Sequence, residues 1–204
     1  MGKGEQTKER ILELAEKAIL ANGFSGTSIE ALIEEAGITK GGFFYHFKDK
    51  THLIECLMQR YIENDNIFFD NLFSRADELV EDPLQRYLLF LKLFAEAMAE
   101  LPTTHPGCII AAVCYANKSY AQGVSTINKE GMETWRQLFQ NRLKDIATIY
   151  PVQTDISLMK VADALIAIIE GAFVLTRIYS DKSILPDQIL LHRDYVKRLF
   201  QNHT

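Results

Sequence analysis

Thr39-Lys40-Gly41-Gly42-Phe43-Phe44-Tyr45-His46-Phe47-Lys48-Asp49-Lys50 is the stretch whose reading decides the fold. Placed on a helix, Phe43 and Phe47 share one face, an i,i+4 apolar pair able to hold the segment on a core. Gly41, Gly42 and Tyr45 fall on the opposite face. A glycine inside a helix costs about 1 kcal/mol relative to alanine. Two of them on the open side of so short a helix are a poor choice unless the backbone must come close to another body. Lys40 starts the helix and Lys50 lies just past its end, while Tyr45 and His46 carry flat rings with polar tips. Such a set suits phosphate oxygens and base edges, so the segment reads as a recognition helix for the major groove of duplex DNA.

Working outward, Thr27-Ser28-Ile29-Glu30 has the spacing of a capping box, with Thr27 as the expected N-cap and Glu30 reaching back. Ile29, Leu32, Ile33 and Ala36 then recur at helical spacing. Gly37 supplies a stop, and Thr39 is placed to cap the next helix. Two helices joined by a short glycine-containing turn form a helix-turn-helix. Further upstream, Ile11, Leu12, Ala15, Ala18 and Ile19 make one apolar stripe that closes at Asn22-Gly23. Residues 7–47 therefore read as three short helices around a small core.

Glu9-Arg10-Ile11-Leu12, Ala15, Gly23-Phe24, Thr27-Ser28-Ile29, Ala36-Gly37-Ile38, Thr39-Lys40-Gly41, Phe47 and Lys50 resemble, without gaps, the N-terminal domain of the TetR family of transcriptional regulators. The resemblance covers roughly the first quarter of the chain. It implies a homodimer on a palindromic operator, released when a small molecule enters the C-terminal domain. Carried over position by position, it implies DNA contacts by Thr27, Ser28, Thr39, Lys40, Gly41, Tyr45, His46 and Lys50. Phe44 belongs to the same set with a difference: the family commonly has a tyrosine there, so a phosphate-bonding hydroxyl is absent and Tyr45 is the substitute. Ile33 stands where a small residue is usual, and Thr51 where a glutamate is common.

No linker of Gly, Ser and Pro follows residue 50. Asp49 can cap a long helix running to about Leu79, so the reading head continues into the rest of the chain without a hinge segment. Asp82-Pro83 starts a fifth helix. A sixth is expected from near Cys108 to near Tyr120, a seventh over about 125–149, an eighth over about 156–180 with Asp155 as cap, and a ninth from about Asp187 to Phe200. No strand pattern or internal repeat is present. The fold class is all-α, with about nine helices: a DNA-binding domain over residues 1–50, then a helical effector-binding and dimerisation domain over 51–204. Helix 8 is apolar over so wide a surface that it needs cover on more than one side. The resemblance implies that helices 8 and 9 (about Ile156–Ser180 and Asp187–Phe200) of two subunits form the dimer interface. The alternative is that helix 8 is simply a central helix of one subunit.

Aromatic residues are plentiful in the second domain. Phe69, Phe90, Phe94, Tyr115, Trp135, Phe139 and Phe173 are candidates for lining a lipophilic or aromatic effector's pocket, and Glu170 for orienting it. Ordinary core packing is the favoured reading for most of them, and a solvated edge or an interhelical ion pair for Glu170. Cys108 follows Pro106-Gly107 at an expected helix start, where backbone N–H groups favour a thiolate. This gives an alternative reading, a thiol-based redox or electrophile sensor of the same family; the bland reading is a small buried hydrophobe. Three cysteines with no CxxC or histidine pairing give neither a disulfide framework nor a zinc signature, so no metal and no cofactor is expected. The five histidines show no ligand spacing, and nothing supports an enzyme; a helical carrier or enzyme is the remote alternative. No apolar run approaches the ~18 residues of a membrane span and no signal sequence is visible, so a cytoplasmic protein is expected.

The net charge is −5 over 204 residues, unlike a generally basic nucleic-acid binder. Residues 1–50 carry seven Lys/Arg and eight Asp/Glu, but three lysines and one aspartate lie between Thr39 and Lys50. The basic patch is local, and the acidic remainder limits non-specific binding. Operator affinity measured against salt concentration is therefore expected to fall with a modest slope, because few phosphates are neutralised per half-site. A slope as steep as that of a polybasic protein would contradict this charge layout.

Overall fold

A computed structural model describes residues 2–115, 122–152 and 155–201. Among the described residues there are nine helices and no strand: α1 (Lys3–Gly26), α2 (Ile29–Ala36), α3 (Lys40–His46), α4 (Lys50–Leu79), α5 (Pro83–Ala99), α6 (Ile109–Cys114), α7 (Gln122–Ala147), α8 (Leu158–Tyr179) and α9 (Ile184–Phe200). The all-α expectation holds. By internal contacts the chain forms two units, Met1–Asn64 with Gly107–Gly131, and Asp65–Pro106 with Met132–Thr204.

The first unit is built on the stripe of α1: Ile11, Leu12, Ala15 and Ile19 are buried. Leu32 and Ala36 of α2, Phe43 of α3, Phe47, and Leu53, Ile54, Leu57 and Met58 of α4 complete its core. The regular helix of α1 gives way at Gly23, whose φ of 74° only glycine adopts without strain. Gly37 ends α2 in the left-handed region; its N–H donates to the Glu34 carbonyl while that of Ile38 donates to Ile33. That is the Schellman pairing, and it turns the chain within three residues into α3. Arg60 of α4 binds Glu9 and Glu16 of α1 together, fixing these two helices by charge as well as packing. Ile109, Ile110 and Val113 of α6 are buried, and α6 packs on α1. A Cβ at Gly131 of α7 would lie 2.5 Å from Cδ1 of Ile62, so that glycine permits the approach of α7 to α4.

The second unit has an aromatic core. Phe73 and Phe90 stack at 3.7 Å between centroids, and Phe69 is edge-on to Phe94 and Phe139. Asp82 caps α5 by accepting from the Gln85 N–H, with Pro83 at the first position, as the sequence suggests. α9 packs on both α5 and α8. Bidentate pairing of Arg136 with Asp163 joins α7 to α8, and Arg142 with Asp77 joins α7 to the C-terminal part of α4.

Some expected boundaries shift. Ser28, not Thr27, caps α2: its Oγ accepts from the Ala31 N–H, while the Thr27 hydroxyl donates to the Gly23 carbonyl. α8 begins after Ser157, two residues past the Asp155-capped start expected for it. α9 begins at Ile184 with Pro186 inside its first turn, where the missing N–H has no intrahelical partner to lose. Cys108 is the N-cap of α6, and the expected end of that helix near Tyr120 lies outside the described residues.

His192 of α9 is 1% exposed, and neither ring nitrogen has a hydrogen-bond partner. Burial pushes its pKa down from 6.5 to about 4. The unfolded chain thus takes up a proton near pH 6.5 that the folded chain refuses until about pH 4. Stability contributed by the neutral ring is complete above the upper value and drains as pH falls through the window, a loss on the order of 3 kcal/mol at its lower end. His105, which burial shifts the same way, acts in the same window. Chemical denaturation at a series of pH values is expected to show a shallower acid loss in His192→Leu than in the parent; parallel profiles would contradict it.

Candidate nucleic-acid interface

α3 divides into two faces. Phe43 and Phe47 are fully buried, with their rings 5.6 Å apart, and they fix the helix to the first unit. On the outer side Lys40 and Gly41 are exposed, Phe44 is 43% exposed and Tyr45 83%. Tyr45 and His46 meet edge to face at 4.9 Å, which limits where the tyrosine ring can swing. The Thr39 hydroxyl caps the helix by accepting from the Gly42 N–H at 3.0 Å. A Cβ at Gly41 would meet nothing nearer than the Thr39 Oγ1 at 3.9 Å. The protein's own packing therefore does not require glycine there.

The remaining expected contact residues sit around this helix. Ser28 is exposed at the start of α2. Thr27 is 5% exposed, with its hydroxyl engaged at Gly23, so it shapes the entry to α2 from inside. Lys50 opens α4. Its ammonium donates to the Phe24 carbonyl at 2.7 Å and lies 4.2 Å from the centre of the Phe24 ring; partial burial lowers its pKa. An ammonium has three N–H donors, so two remain for an outside acceptor.

The proposed effector residues fall into separate places. Phe69, Phe90, Phe94, Trp135 and Phe139 form one contiguous ring cluster in the second unit. Phe173, in the same unit, stacks instead on His105 at 4.4 Å. Glu170 is half-buried on α8. Cys108, 6% exposed, and Tyr115, 90% exposed, belong to the first unit. Two polar groups among the rings went unnoticed in the sequence: the Trp135 indole N–H and the Tyr87 hydroxyl are buried without hydrogen-bond partners. Burial also raises the Tyr87 pKa.

One pairing contradicts the reading that no cysteine has a histidine partner. His52 and Cys56 are four residues apart on α4, hence one turn apart on one face, and Sγ lies 3.6 Å from Nε2. The other ring nitrogen, Nδ1, accepts from the Lys48 N–H at 3.3 Å. Burial pushes the Cys56 thiol pKa up, with the charge of Lys8 opposing that rise and Glu55 adding to it. Among the described residues no group of three or more His, Cys, Asp and Glu comes together to hold a metal, and no helix is long and apolar enough to cross a membrane.

Residues 11–57, which contain the helix-turn-helix and the start of α4, match the family described as bacterial regulatory proteins, tetR family. An uncharacterized HTH-type transcriptional regulator from Lactococcus lactis is 25% identical over 182 residues, 88% of this chain and 87% of its own. The HTH-type transcriptional regulator TtgR of Pseudomonas putida is 32% identical over 114 residues, about half of each chain (54% and 51%). A crystal structure of a TetR-family transcriptional regulator from Agrobacterium tumefaciens superposes with a TM-score of 0.78, covering 98% of this chain and all of that one, at 18% identity. The matched segment is the same one that buries Phe43 and Phe47 and exposes Tyr45: over residues 11–57 the chain is similar to the bacterial tetR-family regulatory proteins, and over its length it has the fold of the Agrobacterium tumefaciens regulator.

Proposed function

We propose that the protein is a cytoplasmic, homodimeric repressor that holds a palindromic operator and is released from it by a small lipophilic or aromatic effector. The observation that carries this reading is the outer face of α3: an exposed tyrosine beside an open, glycine-lined backbone on a helix anchored from behind. In this arrangement residues 1–50 bind DNA and 51–204 serve the effector and the partner subunit. Lys40, Tyr45, His46 and the two spare donors of Lys50 reach phosphates, with Ser28 and Thr39 at the two helix starts. Gly41 lets the backbone close on the groove. Phe44 offers its ring alone. Two copies of α3 enter successive major grooves, about 34–36 Å apart.

Homodimerisation is supported by the apolar surface of α8 and α9. Val174, Ile178, Tyr179 and Leu191 are each more than half exposed, and Leu175, Leu190 and Tyr195 are exposed around them. Large apolar residues this numerous on two adjacent helices suit an interface with a second copy. The effector reading is supported by the ring cluster and its two unpartnered donors, since a buried donor without a partner costs about 1–3 kcal/mol. A flat apolar ligand carrying an acceptor would satisfy Trp135 or Tyr87. Its binding has to favour the DNA-incompetent arrangement by about 1–3 kcal/mol to act as a release signal. The burial of Cys108 favours this reading over a thiol-based switch at that position.

Selection of bound duplex sequences by the purified protein supplies the operator for two tests. Tyr45→Ala is expected to lose at least about tenfold in operator affinity, the scale of one lost base or phosphate contact, with dimerisation unchanged. Lys50→Ala should lose operator binding too, through both the ammonium and its hold on Phe24. Retained affinity in both variants removes the assigned reading head. Gly41→Ala separates fold from function. It should stabilise the protein by about 0.5–1 kcal/mol while weakening operator binding, as read by denaturation and gel shift. Equal or tighter DNA binding would show that the glycine is not there for the groove.

A further inference from the structure

We infer that Arg60 is a positioning residue for DNA reading: its bridge to Glu9 and Glu16, together with the tie of Lys50 to Phe24, sets the register of α4 against α1 and through it the placement of α3. That α3 reads DNA is the function proposed above; the register itself does not rest on that reading.

Every group involved lies in the first unit. Glu9 and Glu16 are seven residues apart on α1, so they share a face two turns, or about 10 Å, apart. One guanidinium spans them: Nη1 of Arg60 donates to Glu9 and Nη2 to Glu16. Its Nε is buried without a partner, so these two contacts are its polar anchors. The Arg60 side chain is 14% exposed, and the bridge is only partly open to solvent. A guanidinium is planar and its donors point in fixed directions, so the bridge holds position along α1 as well as distance from it. The second tie lies further back. Lys50, ten residues before Arg60 and so about 15 Å away along α4, donates its ammonium to the Phe24 carbonyl near the end of α1. Phe24 is eight residues past Glu16. One tie lets two helices pivot. Two ties, set well apart on both helices, also stop them from sliding.

The remaining material of the two helices does not supply that register. The side chains they bury in this unit, Ile11, Leu12, Ala15 and Ile19 from α1 and Leu53, Ile54, Leu57 and Met58 from α4, are all apolar. Apolar burial is non-directional and contributes stability more than register. The placement of α3 depends on both helices. Residues 47–49 join it directly to α4. The first turn of α1 reaches it as well, since a Cβ at Gly4 would meet Cε1 of His46 at 3.9 Å. A slide of α1 along α4 therefore moves α3 against its own supports. Base edges demand placement to within about 0.5 Å, whereas attraction to phosphates tolerates more. Loss of the Arg60 bridge thus costs sequence discrimination before it costs DNA binding.

The test compares the full-length parent with Arg60→Lys and with the triple variant Glu9→Gln, Glu16→Gln, Arg60→Met. Arg60→Met alone would strand two part-buried carboxylates. The triple variant removes all three charges at similar volume, so its melting temperature should match or exceed that of the parent. Its affinity for the selected operator should nevertheless fall at least about tenfold, while its affinity for a scrambled duplex of equal length stays within about twofold of the parent's. Arg60→Lys keeps the charge and loses the fork; it should fold like the parent and lose discrimination in the same direction. In a second arm without DNA, amide exchange in α3 and in the first turn of α4 should quicken severalfold in the triple variant at unchanged global stability. Parent-like operator affinity in either variant overturns the inference and leaves a plain stabilising ion bridge, and so does exchange identical to the parent's. A parent that prefers no duplex counts against the proposed function instead, and the exchange arm still decides the register.

Discussion

A helix of seven residues cannot hold itself together in water; its nucleation cost exceeds what so few hydrogen bonds return. α3 exists because Phe43 and Phe47 are both fully buried and because Thr39 caps its first turn. The same two phenylalanines set its rotation. With both inside, Tyr45 and the glycine backbone have nowhere to face but solvent. Stability and presentation of the outer face of α3 therefore come from one contact. The Schellman turn at Gly37 and the ion triad of Arg60 with Glu9 and Glu16 fix the neighbouring helices on which that contact relies.

The second unit is organised by a different constraint. Its centre is filled with rings at 3.7 to 6.3 Å between centroids. Its helices are tied at the margin by bidentate arginine–aspartate pairs, which carry more geometric specification than isolated surface charges. Partner-free polar atoms remain inside: His192, Thr176, the Tyr87 hydroxyl and the Trp135 indole N–H. A core that leaves such groups unsatisfied is less stable than its ring content suggests.

Much of this was legible beforehand, for identifiable reasons. Thr39, Gly37, Asp82-Pro83 and the Phe43/Phe47 pair act locally, through caps, a left-handed residue and a one-turn repeat, so sequence alone locates them. Thr27 and Ser28 show where local reasoning stops. Either hydroxyl can cap α2, and what decides is the end of α1: Gly23 breaks the helix, and its carbonyl takes the Thr27 hydroxyl. The expected start of α9 near Asp187 falls three residues late, because a proline such as Pro186 is tolerated anywhere within a helix's first turn. The His52–Cys56 contact carries no CxxC signature; it follows instead from four residues on a helix being one turn apart. The ring cluster resists for a deeper reason. A packed interior and a ligand cavity have the same composition, and only three-dimensional placement exposed the stranded indole N–H.

Gly131 is a point of tight tolerance. Its missing side chain leaves room for Ile62, and a methyl group there would meet Cδ1 and Cγ1 of that isoleucine at 2.5 and 2.8 Å. The end of the Ile62 side chain, not either helix backbone, is what one added carbon has to displace, within the unit that carries α3. Position 131 is thus a gauge of local give: the first increment of bulk is absorbed by a rotamer of Ile62 before the two helices are asked to part.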